Sequence, residues 1–172
     1  MKHLITALLC TLFSTICFAE NKVSVVEYCP APGQFVNTLP IIDSDDDVLQ
    51  KAQQNLERGS MVSLGAFGGY MVVKFETPLA NIEGNDFIIL GNAFATNAEP
   101  GVVMVSRDAN QNGIADDRWY EIAGSEYARS TKNYEITYYR PTAENDASEE
   151  AIEEYIRWKD NQSNSGWLTK NT

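Results

Sequence analysis

Residues 101–124 read GVVMVSRDANQNGIADDRWYEIAG. Two short apolar, β-branched and aromatic runs, GVVMVS (101–106) and WYEIAG (119–124), flank a polar segment, DANQNGIADD (108–117). Runs of this length and composition, bounded by turn residues, read as strands, so the stretch predicts two strands joined by a loop. Five further segments read the same way: VSVVEY (23–28), SMVSLG (60–65), YMVVKF (70–75), DFIILG (86–91) and NYEITYY (133–139). They recur at intervals of roughly ten to fifteen residues with little helix between them, a pattern of sandwiches and antiparallel barrels rather than of a parallel α/β sheet. The fold expected is all-β, mainly antiparallel, a β-sandwich with two short peripheral helices at about 45–58 and 147–159.

The first helix is read from SDDDVLQKAQQNLERG (44–59). Ser44 suits a cap, Asp45, Asp46 and Asp47 sit beside the positive end of the helix dipole, Val48, Leu49, Ala52 and Leu56 share a face, and Gly59 stops the helix. The dipole accounts for those three carboxylates without a metal. The second is read from DASEEAIEEYIRWKD (146–160), where Ile152, Tyr155 and Ile156 form an apolar stripe among glutamates.

The 108–117 segment carries the chemistry. A calcium loop needs several oxygens converging on one point, supplied by alternate positions along a tight turn. With Asp108 as position 1, Asn110 and Asn112 fall at 3 and 5, Gly113 at 6, the Ile114 carbonyl at 7 and Asp116 at 9. The D-x-[DN]-x-[DN]-G pattern is therefore met, but position 12 is Trp119, where a helix–loop–helix site carries a bidentate Glu. The expectation is an EF-like structural calcium loop between strands, with Asp108, Asn110, Asn112, Ile114, Asp116 and Asp117 as ligands. Asp117 stands ahead of Glu121 as the closing carboxylate. The competing reading is an ion-free turn, since Asn and Asp form Asx-turns and Asn112-Gly113 alone suits a hairpin.

Composition bounds the rest. MKHLITALLCTLFSTICFA (1–19) has the basic start, apolar run and small-residue end of a secretory signal. Its roughly fifteen apolar residues fall short of the ~20 that span a bilayer. The mature chain is then expected at 20–172, one β-sandwich domain, exported to the cell surface, periplasm or exterior. Ile16 before Cys17 argues against a lipid anchor there. Losing the signal leaves Cys29 alone and 12 basic against 24 acidic residues. That charge excludes a nucleic-acid face, and an acid excess suits an exported or cation-binding protein.

The chain's one His, His3, lies in the signal, which removes His-dependent triads and most zinc sites from the mature protein. Glycoside hydrolysis by paired carboxylates, with Glu99, Glu121 and Glu126 as candidates, is the alternative from the enzyme class. Gly65, Gly68 and Gly69 in SLGAFGGYMVVKF lack the phosphate-loop spacing and precede a strand, so they predict a tight turn. The many aromatics are expected mostly as core or cross-strand pairs, with an exposed few as a platform for sugars.

Taken together, EYCPAPGQFVNTLP (27–40), SLGAFGGYMVVKF (63–75), DFIILGNAF (86–94), EPGVVMVSRDANQNGIADDRWYEIAGSEY (99–127) and YEITYYRP (134–141) resemble a family of exported, surface-associated proteins of Bacteroidetes, often labelled only "cell surface protein". The resemblance implies a jelly-roll-like β-sandwich with a calcium site at Asp108, and binding or surface function rather than catalysis. Glycan or another cell-surface component would be the partner, with a purely structural module of a surface assembly as the other non-enzymatic reading. Family members commonly continue beyond a stretch such as 161–167, so the resemblance also implies that this chain is truncated at its C-terminus.

Overall fold

The computed structural model describes residues 22–33, 48–141 and 155–169. The expected export signal at 1–19, the cap at Ser44 and the 45–47 carboxylates lie outside the described residues. No helix among the described residues is long and apolar enough to cross a membrane.

β1 (Val23–Cys29) and β2 (Tyr70–Phe75) form an antiparallel pair, with Val23 opposite Phe75 and Cys29 opposite Tyr70. Short β-branched and aromatic runs bounded by turn residues form both strands where the sequence places them. The register slips between Val25 and Glu27, a bulge that leaves Val26 and Glu27 exposed and turns Tyr28 inward. Tyr28, Ala31 and Ala52 are the buried apolar residues among those described; Tyr28 lies on β1, Ala31 just after it, and Ala52 on α1 (Val48–Glu57), which packs against β1.

Gln53 makes that contact specific. Its side-chain oxygen accepts the Val25 N–H at 2.7 Å, and its amide donates to the Val23 carbonyl at 3.0 Å and to Glu57 at 2.9 Å. One glutamine thereby occupies two backbone groups of β1 that a neighbouring strand would otherwise bond. The helix ends on Gly59, whose φ of 66° suits a residue without a Cβ, and whose N–H donates to the Leu56 carbonyl.

β3 (Met104–Ser106) and β4 (Trp119–Glu121) pair antiparallel across the 107–118 loop. One bond beyond the ladder, from Ile122 N–H to the Val103 carbonyl, extends the pairing. β5 (Ile136–Tyr138), β6 (Ile156–Asp160) and β7 (Ser165–Leu168) form a third antiparallel sheet in that order. The architecture is thus mainly antiparallel β, in small sheets, with a single helix among the described residues.

Three expectations are corrected. The segment 60–65 is not a strand, because its carbonyls are taken by α1, by β1 and by the turn after β1 rather than by a neighbouring strand. Met61 O accepts from Asn55, Ser63 O from the Tyr28 hydroxyl at 2.6 Å, and Leu64 O from the Ala31 N–H at 3.0 Å. Gly65 and Gly68 then turn the chain at φ 74° and 89°, and a Cβ on Gly65 would overlap the Ala31 carbonyl oxygen. The segment 86–91 pairs with no strand among those described, and Ile88 and Leu90 are largely exposed. Asp86 instead accepts the Ile82 N–H and closes a local turn.

The third correction concerns the helix expected at 147–159. Residues 156–160 are strand β6, paired with β5 on one side and β7 on the other; 142–154 lie outside the described residues. In IRWKD, Ile156, Trp158 and Asp160 are half-buried while Arg157 and Lys159 are exposed, a period of two. The reversal into β7 is fixed by Asp160, which accepts Gln162 N–H at 3.0 Å, Asn164 N–H at 2.7 Å and the Asn164 side-chain amide at 2.8 Å. Burial alone would raise the Asp160 carboxyl, but these bonds and one from the Tyr134 hydroxyl prevail and hold it below its ordinary value.

Candidate metal centre

The loop leaves β3 at Ser106 and returns at Trp119, and the two ends are closed by their register pairing and by Ser106 Oγ donating to the Arg118 carbonyl at 3.0 Å. Within it, the side chains at alternate positions turn inward onto backbone N–H groups. Asp108 accepts Asn112 N–H at 3.1 Å on one oxygen and Gly113 N–H at 2.9 Å on the other. Asn110 Oδ1 accepts Asn112 N–H at 2.9 Å, and Asn112 Oδ1 accepts Ile114 N–H at 2.8 Å. Gln111 and Gly113 take φ of 60° and 75°, the left-handed values that make so tight a coil possible.

The two late carboxylates divide their work. Asp116 receives the side-chain amides of Asn110 at 3.4 Å and Asn112 at 3.0 and 3.3 Å, which draws positions 3, 5 and 9 together. Asp117 accepts the Ala109 N–H at 3.0 Å and ties the end of the loop to its start. Ile114 keeps an exposed side chain. Glu121, the reserve ligand, is engaged elsewhere: Lys132 Nζ lies 3.1 Å from its carboxylate.

This donor set consists of carboxylate, amide and main-chain oxygens, the hard ligands that calcium takes, and contains no nitrogen or sulfur donor of the kind that zinc or copper prefers. Among the described residues no three Asp, Glu, His or Cys side chains gather in metal-holding geometry. An ion in this loop would therefore draw on the Asn110 and Asn112 amides and the Ile114 carbonyl as well as on acids.

A shallow cavity of about 110 Å³ lies beside the loop, lined by Val26, Val72 and Lys74 of the first sheet and by Asp108, Gly113 and Trp119. Lys74 Nζ stands 3.1 Å from where a Cβ on Gly113 would be. Lys74 could not be read from the sequence, because only the docking of β2 against the loop brings it there.

The other candidates are dispersed. Glu99 accepts from Asn92 at 3.3 Å, Glu121 pairs with Lys132, and Glu126 pairs with Arg129 at 2.5 Å. Cys29 is free and exposed. Two of the exposed aromatic rings carry cations, Arg118 over Tyr120 at 5.0 Å and Lys132 over Tyr127 at 3.3 Å; among the described residues no cation is stacked on Trp167, which is 40% exposed.

No protein-family model matches the chain, and no curated protein matches it.

Proposed function

We propose that the chain is an exported, surface-associated, non-catalytic module whose 108–117 loop holds a structural calcium ion, on a jelly-roll-like sandwich that presents a surface for glycan or another cell-surface component. The observation that carries the reading is the Asp108 carboxylate bonded to the N–H groups of positions 5 and 6, with Asn110 and Asn112 turned inward behind it. Such a turn meets most of its ordering cost before any ion arrives.

The ligands would be Asp108, Asn110, Asn112, Asp116, Asp117 and the Ile114 carbonyl. Calcium would supply fixed positive charge there and no reaction chemistry. Holding the loop holds β3 against β4, so the ion would act on the stability of the fold. Against an affinity of about 10⁻⁴ to 10⁻³ M, typical of extracellular modules, ~10 mM calcium would contribute about 1.4 to 2.7 kcal/mol. Thermal melting in ~10 mM calcium and in chelator tests this. A midpoint several degrees higher with calcium supports the reading, and an unchanged midpoint refutes it.

For the partner, the exposed indole of Trp167 on β7 offers an aromatic surface that can stack on a sugar ring. A glycan-array screen of the protein and of Trp167→Ala should give signals that the substitution removes. No signal from either protein would point to a structural module instead.

A further inference from the structure

We propose that the Lys74 ammonium is a resident counter-cation of the 108–117 loop, one that calcium must repel or displace, so that Lys74 keeps the site weak and makes its affinity depend on ionic strength. This rests on the calcium reading above and adds a determinant from outside the loop.

Val72 and Lys74 share one face of β2 by the alternation of a strand, and both line the cavity that Asp108 and Gly113 line from the other side. The ammonium lies at Gly113, the residue whose N–H is held by Asp108. Among the described residues Lys74 forms no salt bridge within 4.0 Å, so no single carboxylate accounts for its position. An exposed lysine on a strand ordinarily carries its charge out to solvent along its stem. Here the charge lies over a turn with three carboxylates and takes part of the role that a bound cation would have. The neighbouring cations are Arg107 and Arg118, at the two ends of the loop, and Arg118 is stacked on Tyr120.

A unit charge facing a divalent ion inside one Debye length, ~8 Å at physiological ionic strength, changes its affinity by about two- to ten-fold. Met retains the length and apolar contacts of the lysine stem without the charge, and Arg retains the charge. Calcium titration calorimetry on the wild type, Lys74→Met, Lys74→Arg and Lys159→Met, at low and at high salt, separates the possibilities. Lys159 is exposed on β6, in another sheet, and its replacement makes the same change in net charge.

The expected result is that Lys74→Met binds calcium about two- to ten-fold more tightly than wild type at low salt, with the gain shrinking at high salt. Lys74→Arg should bind like wild type, and Lys159→Met should show little of the gain. Equal or weaker binding by Lys74→Met, or an equal gain from Lys159→Met, overturns this inference while leaving the calcium loop standing. Absence of binding in the wild type overturns both.

Discussion

Replacing Gly166 by Ala should destabilise the protein through one ring, Trp158. Gly166 of β7 lies opposite Trp158 of β6, and the indole covers it. A Cβ there would meet Trp158 Cζ2 at 2.9 Å and Cε2 and Nε1 at 3.0 Å, inside ordinary van der Waals contact. The indole must therefore retreat by roughly half an ångström or turn off its rotamer, a change that costs about 1–2 kcal/mol at a half-buried site. Against this, Ala narrows the unfolded ensemble by about 0.4–1 kcal/mol relative to Gly. The net expectation is a loss of up to about 1.6 kcal/mol, centred near ~0.8, or a midpoint lowered by up to about 6 °C, read by thermal unfolding followed by circular dichroism. The same change made in a Trp158→Ala background should be neutral or stabilising, because the ring that it strikes is gone. If Gly166→Ala has the same effect in both backgrounds, Trp158 does not cover Gly166 and their pairing across β6 and β7 is refuted.

Two further outcomes follow from the first sheet. Gln53→Ala leaves the Val25 N–H and Val23 carbonyl without their 2.7 and 3.0 Å partners, and should cost about 1–3 kcal/mol in urea unfolding. Wild-type stability in that variant would show that α1 is not pinned to β1 by this side chain. The Tyr70 hydroxyl donates to the Glu27 carboxylate, and this bond, with burial and the charge of Glu27 behind it, pushes the phenol up to about 12. Because the folded value lies above the unfolded ~10, the stabilisation is complete below pH ~10 and is lost as pH rises through about 12. The wild-type minus Tyr70→Phe difference in tyrosinate absorbance should titrate near that upper value, and return towards ~10 when Glu27→Gln is added. A difference curve already centred near ~10 in the wild type would count against the pairing.

The sequence made some elements legible and hid others for physical reasons. β1, β2 and the strands flanking the loop are short β-branched or aromatic runs between turn residues, which is a local property. α1 was legible from its apolar face and from Gly59. The segment 60–65 looks the same in one dimension, yet its Ser63 and Leu64 carbonyls bond to Tyr28 and Ala31, partners that no short window around it contains. In 146–160 the glutamate-rich first half favours helix and masks the alternation of Ile156, Trp158 and Asp160, whose strand character depends on pairing with β5 and β7. The ligand spacing of the loop could be counted from Asp108, because it lies within one short stretch. The different tasks of Asp116 and Asp117 could not, since each is set by which amide it meets. Lys74 was invisible for the same reason as the partners of 60–65: its neighbour in space is far along the chain.

The central claim concerns the loop, and its most direct test is a calcium titration followed by ¹H–¹⁵N NMR at the Asn112, Gly113 and Ile114 amides. These three N–H groups donate to Asp108, Asn110 and Asn112, three of the six proposed ligands. The account predicts saturable shifts of these amides with a midpoint of about 10⁻⁴ to 10⁻³ M calcium, and their loss in Asp108→Asn. Resonances that stay in place up to ~10 mM calcium, or that move equally in Asp108→Asn, would contradict it.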